Sequence, residues 1–222
     1  MRFLVTVNLK SQKRGSILAL DCSSSKSGVT IINELGQIAK TIQIHLVYRS
    51  IKKVKIPHIE IKDYTNNPEG ELVEKINLSQ EYGFKLSFAQ KAVILSNYLM
   101  GIIKEYDIKY LFIEDYAYYS TGKTVDIIEM TSIMKYLVAQ ESSLEWVRVA
   151  PTSLKSYNCG AANASKDDMR AALEVKTGIY YESFDVVDST VLAMLASELL
   201  PHLKEVVEEG VLRSSYKKFI RK

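Results

Sequence analysis

The chain has 222 residues, of which 47% are hydrophobic and 25% charged, and a formal net charge of +3. This composition excludes a disordered chain, and the length favours one substantial core over two full-sized domains. A charge so near neutrality does not by itself point to nucleic acid.

The opening Met1–Val7 is too short, and too soon interrupted by charge, for a signal peptide. No apolar run approaches the ~20 residues that span a bilayer, so an intracellular, cytoplasmic protein without a membrane partner is expected. Ser16–Leu20 is an apolar run closed by Asp21, followed by a Ser-rich turn, Gly28 and a second β-rich run, Val29–Ile32; the pattern predicts a hairpin. Thr41–Val47 alternates Ile42, Ile44 and Leu46 with Gln43 and His45, which predicts a third antiparallel strand. From Lys52 to Tyr82 the pattern breaks. Pro57, the turn-like Asn66-Asn67-Pro68-Glu69-Gly70 and many charges read as an irregular or β-hairpin insertion.

Helical spacing returns over Leu86–Tyr106 at Phe88, Ala92, Leu95, Leu99, Ile102 and Ile103. Tyr110–Ile113 is wholly apolar and ends in Glu114, as a central strand covered on both faces does. A helix over about 124–141, a strand over 146–149, a short turn or helix opened by Pro151, and helices over about 166–176 and 184–200 follow. Residues from about 201 to 222 read as a final helix plus a basic C-terminal tail. The order predicts a mixed α/β fold: a central five-stranded sheet with a three-stranded antiparallel meander and flanking helices.

Asp21 and Glu114 each close an apolar strand, and Asp185 and Asp188 are three apart on one face of a helix start. Each has a plain structural reading, as a turn opener, a surface residue or a helix cap. Together they form an oxygen-only set without His or Cys, which suits Mg²⁺, or Mn²⁺ in its place, and not zinc. The two cysteines, Cys22 and Cys159, stand apart and suggest neither a disulfide framework nor a metal cluster; a reducing compartment fits.

These residues resemble the RuvC-type Holliday junction resolvases of the RNase H-like superfamily. That family's pattern runs apolar strand, Asp, a turn with Gly seven residues on, and later an apolar strand ending in Glu. It is matched here by Ile17–Asp21 with Gly28 and by Leu111–Glu114. Pro151-Thr152-Ser153-Leu154-Lys155 is similar to its Pro-x-x-x-Lys segment, Gly160 and Lys166 fall at its spacing, and Asp185-Val186-Val187-Asp188 is similar to its final Asp-x-x-Asp.

The resemblance implies one RNase H-like nuclease domain over 1–222, with the insertion at about 52–82 and the tail at about 201–222. It implies that Asp21, Glu114, Asp185 and Asp188 bind two Mg²⁺ ions, with Lys166 completing the catalytic set. Lys155 and Lys166 would meet DNA near the scissile phosphate. The implied activity is endonucleolytic hydrolysis of four-way junctions or other branched DNA, by a homodimer, because two symmetric cuts need two sites related by a two-fold axis. Cys22-Ser23 replaces a common Pro-Gly, and Ala162 a common Gly. Ala117 replaces an aromatic that stacks on a base in the family, so Tyr116, Tyr118 or Tyr119 takes that role or merely packs a loop. The insertion suits a phage-type or otherwise diverged member. The basic residues Arg49, Lys52, Lys53 and Lys55 are then candidate DNA-backbone contacts, with a solvated face as the plain reading. Two alternatives stand: a broader RNase H-like nuclease acting on forks, flaps or hybrids, and a non-catalytic junction-binding protein.

Overall fold

In the computed structural model, residues 15–23, 25–51, 54–78, 86–115, 123–141 and 144–220 are described. The central strand is β1 (Ser16–Asp21). It is buried on both faces: Ile17 and Ala19 enter one apolar cluster, Leu18 and Leu20 the other. Antiparallel β2 (Lys26–Ile32) and β3 (Ile38–Ile51) extend the sheet on one side of it. On the other side lie parallel β6 (Ile108–Glu114) and β7 (Glu145–Val149).

These five strands are the predicted sheet, but the described sheet has nine. The stretch read as an irregular or hairpin insertion holds β4 (Val54–Asp63) and β5 (Glu71–Asn77), which continue the meander from β3. Ile59 and Ile61 of β4 are buried in the same cluster as Ile42 and Ile44 of β3. Charge at the intervening positions hides that alternation. Among the described residues Pro57 lies beyond the last β5 partner, His58 opposite Asn77, so β4 is an edge there, a place that tolerates proline.

Helices cover both faces. On one, α1 (Phe88–Glu105) opens on a capping box between Ser87 and Gln90, worth about 1 kcal/mol for the cap, and buries Leu95, Leu99 and Ile103. Beside it α2 (Lys123–Glu141) buries Met130, Met134 and Val138 at helical spacing. On the opposite face lie α3 (Pro151–Cys159), α4 (Lys166–Thr177) and α5 (Phe184–Leu199). The core helix is α5, with Val186, Val187, Val191, Leu192 and Leu195 fully buried at about 1.5–3 kcal/mol each. Sequence reading expected no stretch of membrane-spanning length. Phe184–Val206 is nonetheless long and apolar enough by length and composition, and 61% of its apolar window is buried inside the protein. Its apolarity is that of a helix pressed into a core.

Residues after α5 fold back on the sheet. A short helix, α6 (Leu203–Val206), leads to β8 (Val207–Glu208) and β9 (Val211–Leu212), and β9 pairs with β7. Tyr216 is buried and its hydroxyl donates to the Ser153 carbonyl at 3.0 Å.

Candidate active site

Strand alternation decides which face receives the acids. Asp21 follows Ala19 and Ile17, and Glu114 follows Phe112, all on the α5 side of the sheet. Parallel pairing sets Leu20 beside Ile113, so the acids that follow stand together at the carboxyl ends of the two strands. Ser183 caps α5, its Oγ accepting from the Val186 amide at 3.4 Å, and the first turns of that helix deliver Asp185 and Asp188 to the same edge.

A carboxylate oxygen from each of Asp21, Glu114 and Asp188 lies within 4.8 Å of the other two. Burial pushes the Asp21 carboxyl well above its ordinary range, and the neighbouring Asp188 and Asp185 raise it further. Burial does the same to Glu114, with Asp21 and Asp188 adding to it. Asp188 is raised by burial, against the pull of Lys166. Such a cluster cannot ionise fully without a counter-cation. Oε2 of Glu114 is buried and has no hydrogen-bond partner among the described residues, which is costly for an acceptor unless something else satisfies it. A buried, all-oxygen set with one orphaned acceptor fits a hard divalent cation, and Asp21, Glu114 and Asp188 form a group able to hold one.

Asp185 takes a different place. Its Oδ2 accepts a hydrogen bond from Nε2 of Gln43 at 2.8 Å, and the same Gln43 nitrogen donates to Oγ of Ser183 at 2.8 Å. Asp185 therefore lines the same cleft but stands outside the three-acid group. Gln43 was not singled out in the sequence; its only sign there is a polar residue alternating with Ile42 and Ile44. A ladder row explains the contact, since Asp21 pairs with Gly28 and Gly28 with Gln43.

The acids floor a cleft of about 350 Å³. One wall carries Lys155 of α3 and Lys166 of α4. Nζ of Lys166 is 3.7 Å from Oδ2 of Asp188 and 5.6 Å from the centre of the Phe184 ring. It is the first residue of α4, whose start is fixed by a capping box between Ser165 and Asp168. Cys22 also lines the cleft, and burial pushes its thiol up to about 12. On the opposite wall α2 contributes Ile127, Thr131 and Lys135.

Tyr116, Tyr118, Tyr119, Lys52 and Lys53 lie outside the described residues. Arg49 and Lys55 occupy the paired ends of β3 and β4 near their connection, and their side chains lie outside the description.

No protein-family model and no curated protein matches the sequence. Solved structures do match the fold. Thermus thermophilus RuvC aligns with a TM-score of 0.51 at 9% identity, over 83% of this chain and 93% of that one. T. thermophilus RuvC in complex with a Holliday junction substrate aligns at 0.52 and 9%, over 84% and 94%. The yeast mitochondrial Holliday junction resolvase Ydc2 aligns at 0.48 and 14%, over 96% and 87%. By the two T. thermophilus alignments the chain carries the RuvC-type, RNase H-like fold, and its described sheet holds β4, β5, β8 and β9 beside the five central strands.

Proposed function

We propose that this chain, built on the RuvC-type fold, is a metal-dependent endonuclease that cuts branched DNA, with the four-way junction as its preferred substrate. The observation that carries this reading is the buried cluster of Asp21, Glu114 and Asp188 on the floor of a cleft with Lys155 and Lys166 on its wall. The same fold in T. thermophilus RuvC takes a Holliday junction substrate.

Asp21, Glu114 and Asp188, with Asp185 at the margin, would hold two Mg²⁺ ions, or Mn²⁺ in their place. Such ions supply Lewis-acid activation of water and charge neutralisation at the leaving oxygen. The reaction adds water to phosphorus and breaks the bond to the 3′ oxygen, leaving a 3′-hydroxyl and a 5′-phosphate. Lys166 offsets the charge that develops on the phosphoryl oxygens, and Lys155 anchors the backbone beside them. The cleft walls orient the strand and limit water to the acid floor. Two chains related by a two-fold axis would make paired cuts. Arg49, Lys52, Lys53, Lys55 and one of Tyr116, Tyr118 and Tyr119 belong to this proposal as outer DNA contacts. Free thiols at Cys22 and Cys159 suit a reducing, intracellular location.

The test is cleavage of a labelled four-way junction beside a fork and a linear duplex, with Mg²⁺ or EDTA, by wild type and Asp21→Asn. Paired symmetric nicks that need both the metal and Asp21 are expected. Preference for the fork or for a hybrid moves the reading to a broader RNase H-like nuclease, and binding without cutting moves it to a non-catalytic junction-binding protein. Undiminished cutting by Asp21→Asn overturns the proposed site.

A further inference from the structure

The α2 wall of the cleft is built differently from the α3–α4 wall. Ile127, Thr131 and Lys135 follow one another at i, i+4 and i+8, so one stripe of α2 faces the cleft while Met130, Met134 and Val138 face the core. Thr131 spends its hydroxyl on its own helix, donating to the Ile127 carbonyl at 2.8 Å and approaching that of Ile128 at 3.2 Å. The free polar group of this stripe is therefore the Lys135 ammonium.

Lys135 is half-buried, and no ion pair among the described residues includes it. Asp115 acts on it favourably, but that carboxylate already faces Nη1 of Arg148 at 3.8 Å. Among the described residues two cations thus face one carboxylate, and Lys135 holds its charge partly withdrawn from water. Burial and Arg148 together pull the Lys135 pKa down, as expected for an ammonium short of anionic partners. Its field reaches Cys22 and Asp115, the residues that directly follow Asp21 and Glu114, whereas Lys155 and Lys166 act on the acids themselves. Lys135 lines the cleft from α2, on the sheet face opposite α5, and so stands across the acid floor from Lys155 and Lys166.

We infer that the α2 wall is a second phosphate-binding subsite of this cleft, in which Lys135 binds the phosphodiester next to the one that is cut. The inference rests on the nuclease reading above. A strand lying in the cleft would then be held by cations on both sides, Lys155 and Lys166 at the scissile position and Lys135 at its neighbour. Lys135 is a positioning residue here, since it does not touch the reacting atoms.

The test is equilibrium binding of a labelled four-way junction in EDTA, from 50 to 200 mM salt, by wild type, Lys135→Met and Lys135→Arg. Methionine keeps the apolar stem that packs along the helix and removes only the charge. Lys135→Met is expected to weaken binding several-fold at the low-salt end and to reduce the slope of log K against log salt by about one; Lys135→Arg is expected to restore the wild-type slope. A Lys135→Met slope equal to that of wild type, with only a lowered melting temperature, overturns the subsite and leaves the nuclease reading intact. A wild type that binds no nucleic acid removes both together.

Discussion

Gly28 and Asp185 meet backbone to backbone: a Cβ at position 28 would stand 1.9 Å from the carbonyl oxygen of Asp185 and 3.0 Å from Oγ of Ser189. The absent side chain lets α5 settle directly on β2. There Oγ1 of Thr30 lies 3.0 Å from Oγ of Ser189 and 3.1 Å from Oγ1 of Thr190, a buried polar knot that fixes the helix against the sheet. The depth of Asp185 and Asp188 above the strand ends is set by this contact.

Gly28→Ala is accordingly expected to lift the start of α5. The clash is with backbone, so no rotamer change relieves it, and a loss of about 1–3 kcal/mol in stability is expected. Thermal melting measures that loss. Titration with Mn²⁺ by calorimetry measures the second consequence, a weaker cation site even at temperatures where the variant is folded. Wild-type cation affinity in a folded Gly28→Ala protein would show that the close approach does not set the acids.

Gln43 holds the carboxylate of Asp185 by a 2.8 Å hydrogen bond, so it acts on the site through a residue it positions. Partners of this kind typically change metal affinity by about 10–100-fold. Gln43→Ala is expected to weaken Mn²⁺ binding within that range and to alter its stoichiometry if Asp185 serves a second ion. Gln43→Glu is expected to do more, because it sets a second carboxylate against Asp185. Unchanged binding isotherms for both variants would remove Gln43 from the site.

The strand-end acids are legible because an apolar run that stops at a carboxylate is a pattern in one dimension. The division of labour between Asp185 and Asp188 is not. Both belong to the start of one helix, yet Asp188 joins Asp21 and Glu114 while Asp185 turns to Gln43, and only the register of three strands brings Gln43 there. Lys135 was equally hidden, since nothing in the spacing of α2 says which stripe faces a cleft built by α3, α4 and α5. The hairpin reading of residues 52–82 holds for β4 and β5, but its joining to the sheet through β3 is hidden for another reason. In β4 the buried Ile59 and Ile61 alternate with His58, Glu60 and Lys62, and in β5 most of the strand is exposed, so charge outweighed periodicity over the whole stretch.

The raised carboxyl groups fix the sign of a pH effect. Asp21, Glu114 and Asp188 hold their protons more tightly in the folded chain than an unfolded chain would. Between the ordinary carboxylate value, near ~4, and the raised folded values, the folded state binds more protons, so stability falls as pH rises through that window. The stability these groups contribute is thus present at low pH and lost toward high pH when no cation is bound. Melting in EDTA is expected to show Glu114→Gln gaining on wild type as pH rises, and Mg²⁺ is expected to close that gap. A constant difference between the two proteins at every pH would contradict the buried, uncompensated cluster.

Lys166 is expected to act on both the rate and its pH dependence. Its ammonium lies 3.7 Å from Asp188 and favours the ionised forms of Asp21, Glu114 and Asp188. Lys166→Met removes that influence, so the three carboxyl groups rise further and lose their protons only at higher pH. The acidic limb of the cleavage pH–rate profile is therefore expected to move to higher pH in the variant, and the plateau rate to fall by about 10²–10³-fold through loss of charge stabilisation on the phosphoryl oxygens. Because Lys166 is 61% exposed, little change in melting temperature should accompany these effects. A lower plateau with an unmoved acidic limb would assign Lys166 to the phosphate alone. A moved limb with an undiminished plateau would assign it to the carboxylates alone, and junction cleavage followed from pH 5 to pH 9 separates the two.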